Sequence, residues 1–306
     1  MGAAAPRLQW EPELLSRIVA DELERLAARS ERGPLTRYRA AAEPLYALPP
    51  SDREAAFYEL DLGTVAMLEL DRVPLAEIER AKWHPKSIHE VLIGPAAVAR
   101  EEGADLTPHQ RTRVVMRLRP SRFGDRENLA AFLAHELGHI SDLIAPEFGY
   151  SGDRLMPTAG SSEHLVRDRY RALWCASIDL RRKRVPAPVR EERVRAVLKA
   201  FGIDDRDAAS VGRWLSDPIP HATLLSCAEN PRHLAEVCPG LRGRPDAART
   251  RCPICKLPAF PACPPADDLP YAVQSAIRAD VPGWSPSDGT CQRCREIYIV
   301  LGGVSQ

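Results

Sequence analysis

Between Thr112 and Ile144 the hydrophobic pattern changes period within a few residues, and that change dictates the local architecture. Over Thr112–Arg119 the apolar Val114, Met116 and Leu118 alternate with Arg113, Val115, Arg117 and Arg119, the period of two that a half-buried strand needs. Pro120 cannot extend the ladder, and Gly124 supplies a turn. Asp125 then reads as the side-chain cap of a helix over Arg126–Ile144, which Pro146 and Gly149 end. An outward face of arginines is a device of sheet edges. The strand is therefore expected at an edge, where Arg113, Arg117 and Arg119 would receive an extended, acidic peptide.

The remainder of the chain is broken up by proline, 28 of 306 residues. Residues 11–29 carry Leu14, Ile18, Leu23 and Leu26 on one helical stripe, and Ser51–Glu54 has the form of a capping box opening a helix. A short strand is expected at Val91–Gly94, and helices near 162–184, 189–201, 206–216 and 221–237. Pro239–Pro245 reads as a linker, and the dense basic run Arg181–Arg184 as a solvated helix C-terminus. These elements predict a mainly helical α+β protein. Its expected divisions are an N-terminal helical extension (1–50), a core (51–184), a helical subdomain (185–240) and a cysteine-rich module (241–306).

Forty-two basic residues balance 42 acidic ones, which argues against a surface built for nucleic acid. Only five of the basic residues are lysines, the mark of a GC-rich, bacterial coding bias rather than of a polyanion partner. No apolar run has the length of a membrane span, and the first residues lack the basic-then-apolar order of a secretory leader. The expectation is a soluble, cytoplasmic protein with no membrane partner, whose eight cysteines are reduced and available to metal.

Within the predicted helix stands His135-Glu136-Leu137-Gly138-His139. Residues four apart project from the same side of a helix, so both imidazoles can share one metal, with Glu136 placed to take a proton from water beside it. Cys252-Pro-Ile-Cys255 and Cys291-Gln-Arg-Cys294 form two further pairs, separated by 35 residues, that together complete a closed four-thiolate shell for a structural zinc. The gap has room for a helix near 269–279, as in a zinc ribbon with an insertion, and the run after Cys294 reads equally as the helix of a treble clef. Cys263 is read as a spare thiol, and Cys227 and Cys238 as buried core cysteines.

The HELGH segment following a strand resembles the zincin metallopeptidases. The resemblance covers about residues 90 to 184, and the two-part layout is similar to that of SprT-like proteins. It implies a zincin-like core, a catalytic Zn2+ on His135 and His139, Glu136 as general base, and a peptide or protein substrate bound by strand addition. No Gly-x-x-His follows His139, so the likeness is to the gluzincin-like branch, in which a downstream helix supplies a carboxylate. In the helix 162–184, His164, Asp168, Cys175 and Asp179 fall within about 60° of one another. Asp179 is the preferred third ligand, with Cys175 and Asp142 behind it, and Asp142 also reads as an acceptor for an imidazole N–H. Tyr150, Tyr170 and His164 stay open as oxyanion donors. Two zinc ions are expected, one catalytic and one structural. A rival class is a regulatory or binding protein that meets a protein partner through the four-cysteine module.

Overall fold

Four strands and twelve α-helices among the described residues make up the fold, a mainly helical α+β arrangement with one small sheet. The computed structural model describes residues 6–83, 87–107, 110–150, 163–182, 185–241, 252–256, 259 and 263–301, with 110, 111, 163 and 164 described in backbone only. The chain divides into two units, Met1–Ala145 and Pro146–Gln306.

In the first unit β1 (Arg7–Trp10) leads into α1 (Pro12–Ala28), whose proline occupies the first turn, where a missing N–H removes no helical bond. Next come α2 (Gly33–Ala42), α3 (Pro50–Met67) and α4 (Arg72–Ala81), then β2 (Glu90–Pro95), β3 (Gly103–Thr107), β4 (Gln110–Leu118) and α5 (Arg126–Ile144). The sheet order is β1-β2-β4-β3, with β1, β2 and β4 parallel and β3 antiparallel to β4. Val91 pairs with Val114 and Ile93 with Met116, and all four are sealed from solvent. They share one core cluster with Leu14, Leu15 and Ile18 of α1 and with Leu129, Leu133, Leu137 and Ile140 of α5. Each such side chain contributes about 2 kcal/mol by burial.

Three expectations need correction here. The strand around 112–119 is not an edge, because β4 lies between β2 and β3 and the edges are β1 and β3. Its arginines are accordingly engaged: Arg113 pairs with Glu90 at 3.1 Å and Arg119 with Glu102 at 3.0 Å, while Arg117 is exposed. The capping box at Ser51–Glu54 does not form. Pro50, in the first helical position, starts α3 two residues earlier, and Ser51 Oγ donates to Asp52 instead. Finally, Arg7–Trp10, placed by the sequence in a helical extension, is a strand of the sheet.

In the second unit α6 (Glu163–Arg181) packs against α7 (Ala187–Phe201), α8 (Ala208–Leu215) and α9 (His221–Glu229). The single helix expected at 221–237 is two, because Asn230 caps α10 (Pro231–Val237) by accepting from Arg232 N, and Pro231 takes its first position. The cysteine module carries α11 (Tyr271–Asp280) and α12 (Gln292–Leu301). Residues 242–245 of the expected linker and Lys183–Arg184 of the basic run lie outside the described residues. No helix of the described residues is long and apolar enough to cross a membrane.

Candidate functional site

Helix α5 is built as its sequence requires. Asp125 Oδ1 accepts from Asn128 N at 3.0 Å, satisfying one of the open N–H groups of the first turn. Leu129, Leu133, Leu137 and Ile140 face the core, and Trp83 Nε1 donates to Ser141 Oγ at 2.9 Å, which fixes the rotation of the helix. That rotation leaves His135, Glu136 and His139 half-buried on another side.

The two imidazoles converge. Their Nε2 atoms are 3.2 Å apart, and the rings meet edge to face at 4.8 Å between centroids. Two bonds of about 2.05 Å to one tetrahedral ion span about 3.3 Å between the nitrogens, so the pair fits a single metal. Glu136 Oε2 accepts from Ala104 N of β3 at 3.2 Å. A side chain at Gly103 would bring a Cβ to 3.5 Å from that oxygen, so the edge strand runs directly beside the carboxylate. Asp142 is buried on the last turn of the same helix.

On α6, Cys175 and Asp179 are both buried, one turn apart. The carboxylate of Asp179 accepts from Arg193 Nε of α7 at 2.6 Å, an ion pair that the spacing along α6 does not reveal. The side chain of His164 lies outside the described residues. Of the oxyanion candidates, Tyr170 has its hydroxyl 2.7 Å from Nδ1 of His221, a residue that sequence reasoning did not single out. His221 is buried among the rings of Phe148, Tyr150 and Tyr170, and the only prior sign of it was Pro220, which sets it at the start of α9.

Cys252, Cys255, Cys291 and Cys294 come together with their sulfurs all within 4.8 Å of one another, and can hold a metal ion. Cys252 and Cys294 are 3.8 Å apart, and Cys255 and Cys291 3.9 Å. A tetrahedral ion with sulfur bonds of about 2.3 Å demands about 3.8 Å. Burial opposes ionisation of Cys252, but backbone N–H groups of Cys291, Cys255 and Ile254 bring its thiol down to about 6. Cys291 sits immediately before α12 and accepts from Cys294 N at 3.4 Å, so the second pair lies at a helix start. The first pair turns through Lys256 in the left-handed region, φ 57°. Around the cluster, Leu269, Val273, Ile277, Trp284 and Tyr298 form a small core of their own.

Burial pushes Cys227 up to about 12 and Cys238 to about 11, as inert core thiols require. His233 bonds Glu236 at 2.8 Å. Burial and the neighbouring cysteines push Cys263 up to about 12. No protein-family model matches this sequence, and comparison with curated proteins and with solved structures finds no similar protein.

Proposed function

We propose that this chain is a zinc-dependent metallopeptidase, with His135 and His139 as zinc ligands and Glu136 as general base. The observation that carries the reading is the convergence of the two Nε2 atoms at 3.2 Å with Glu136 tethered to the edge strand beside them. When bound, zinc supplies Lewis acidity toward water and toward the scissile carbonyl. Glu136 takes the proton of the attacking water and passes it to the leaving amine. β3 has no strand beyond it among the described residues, and its edge gives an extended peptide a backbone to pair with, along the line that runs past Glu136. With Arg113 and Arg119 already paired with Glu90 and Glu102, the exposed Arg117 is what is left of the three to favour an acidic peptide.

For the third ligand, helix α6 remains the source. Asp179 already carries the charge of Arg193, so Cys175, a residue type that suits zinc as a thiolate, is placed ahead of it. The four cysteines are assigned a second, structural zinc, a closed shell that stabilises a module with only a small apolar core. Cysteines without disulfides fit a reducing, cytoplasmic setting. A second reading, a binding protein that meets a partner through this module, is favoured by Ile297, Val300 and Leu301, which are exposed on α12.

Elemental analysis together with a peptide-library digest tests the proposal. Wild type should carry two zinc ions per chain and His139→Ala one. Glu136→Gln should keep both and lose hydrolysis. A single zinc in both wild type and His139→Ala, or full hydrolysis by Glu136→Gln, would overturn it in favour of the binding protein.

A further inference from the structure

A cavity of about 560 Å³ lies where the end of β1 meets α1 and α3, remote in sequence from the HELGH helix. Its walls are aromatic: Trp10, which is buried, and Phe57 and Tyr58, which are half-buried. Tyr58 is fixed by donating from its hydroxyl to Trp10 O at 3.2 Å. Its polar groups are all acidic or neutral. Glu13 and Glu54 are exposed, and Asp61 is only 4% exposed. Asp61 Oδ1 accepts from Tyr38 at 2.8 Å. Among the described residues no other side chain bonds this carboxylate, and no lysine, arginine or histidine pairs with Asp61, Glu13 or Glu54.

Asp61, almost wholly buried with a neutral hydroxyl rather than a cation as its partner, is the costly group of the three, since a buried charge is ordinarily paired. Burial pushes the Asp61 carboxyl above its usual range, and the Tyr38 hydroxyl opposes this without reversing it. A bound cation would relieve that strain on the charged form.

The kind of cation follows from the lining. Glu13, Glu54 and Asp61 are not among the groups whose oxygens gather within 4.8 Å, so they do not form a metal site. The faces of Trp, Tyr and Phe attract organic cations and also cover an aliphatic stem, whereas a hard metal ion wants converging oxygens. We propose that this cavity binds an alkylammonium group, its charge on Asp61, its stem between Trp10, Phe57 and Tyr58, and the rim acids Glu13 and Glu54 steering it in. A free diamine and a lysine side chain both present this chemistry.

Titration calorimetry on the full chain tests the site with 1,5-diaminopentane, with Nα-acetyl-lysine methylamide and with neutral 1,5-pentanediol at matched ionic strength. At least one of the two amines should bind and the diol should not. Binding of the diamine alone assigns the site to free diamines, and binding of the lysine derivative alone or more tightly assigns it to a peptide side chain. Asp61→Asn, which keeps an acceptor for Tyr38, should weaken the amine about tenfold or more, the loss of one charge-assisted bond. Glu54→Gln, on the exposed rim, should weaken it by a smaller factor without disturbing the fold. Should Asp61→Asn fail to fold, Glu54→Gln and the diol decide. Equal binding of diol and diamine, no heat from either amine, or amine binding unchanged in the variants that fold would overturn the proposal.

Discussion

Replacing Glu102 with Gln should loosen the edge strand beside Glu136 without touching either metal cluster. The Glu102 side chain is 1% exposed and accepts from Arg119 N at 3.0 Å, Arg119 Nε at 3.0 Å, Arg122 Nε at 2.6 Å and Arg122 Nη2 at 2.9 Å. Arg122 in turn donates to Asn128 Oδ1 at 2.7 Å and lies 3.9 Å over the ring of Phe132, so one carboxylate ties the start of β3 to the first turns of α5. Breaking a buried pair from one side costs about 3–5 kcal/mol. Arg119 is 38% exposed, and its share shrinks to that of a surface pair, below about 1 kcal/mol. Arg122 is 18% exposed, so its share dominates, and we expect about 3 kcal/mol. At about 1.4 kcal/mol per tenfold, β3 should open about a hundredfold more often. Hydrogen exchange read by mass spectrometry on peptides spanning 99–107 measures this at pH 7, with an α1 peptide as the unchanged control. Burial opposes ionisation of Glu102, but the Arg122 and Arg119 donors overcome it and hold the carboxyl below its usual 4.5. A depressed carboxyl stabilises above that value and loses its contribution as pH falls through the folded one. The gap between wild type and Glu102→Gln should therefore persist at pH 7 and narrow as pH falls below 4.5 through the folded value. A change under tenfold at pH 7, or a gap that stays equal down to full protonation of the carboxyl, would refute the reasoning.

Asp125→Ala removes the cap of α5 and should cost about 1 kcal/mol, seen as faster exchange of its first-turn amides with the α6 amides unaltered. Gly289 has φ 76°, and a Cβ there would lie 2.6 Å from Pro264 O and 2.7 Å from Cys263 O, both backbone. Gly289→Ala should accordingly speed metal loss from the four-cysteine cluster to a chelator several-fold or more, and any metal at the proposed His135–His139 site should be retained. If Cys175 rather than Asp179 completes the proposed catalytic site, Cys175→Ser should lower its zinc affinity and Asp179→Asn should not, by competition with a chromophoric chelator.

What was legible in the sequence were the elements with local punctuation. Helix α5 spans the residues that the Asp125 cap and Pro146 mark out, because capping and proline act within a turn. The two cysteine pairs announced their cluster because a knuckle is short-range geometry. Strand β1, with only four residues, is too short for alternation to register. The central place of β4 was hidden for a different reason: alternation reports which face is buried, not how many neighbours a strand has, and Arg113 and Arg119 looked solvated because their partners Glu90 and Glu102 are distant in sequence. Of the stripe expected on α6, Cys175 and Asp179 are buried and Asp168 is exposed, and Arg193 reaches Asp179 from another helix, which no periodicity along α6 encodes.

The parallel pairing of Arg7 with Glu90 has a consequence for synthesis of the chain. β1 leaves the ribosome well before β2, its neighbour among the described residues, exists, and β2 in turn waits for β4, which starts at Gln110, about 100 residues after β1 starts at Arg7. At about 5–20 residues per second, that interval is roughly 5–20 s during which a short strand ending in Trp10 has no ladder to join. The helices α1 to α4 occupy the interval and form from local contacts, so they can gather a partial core of Leu14, Ile18, Val65 and Ile78 before the sheet closes over it. The order of the chain thus completes its parallel sheet only after α1 to α4 have formed, with α5 the last element of the first unit to be added.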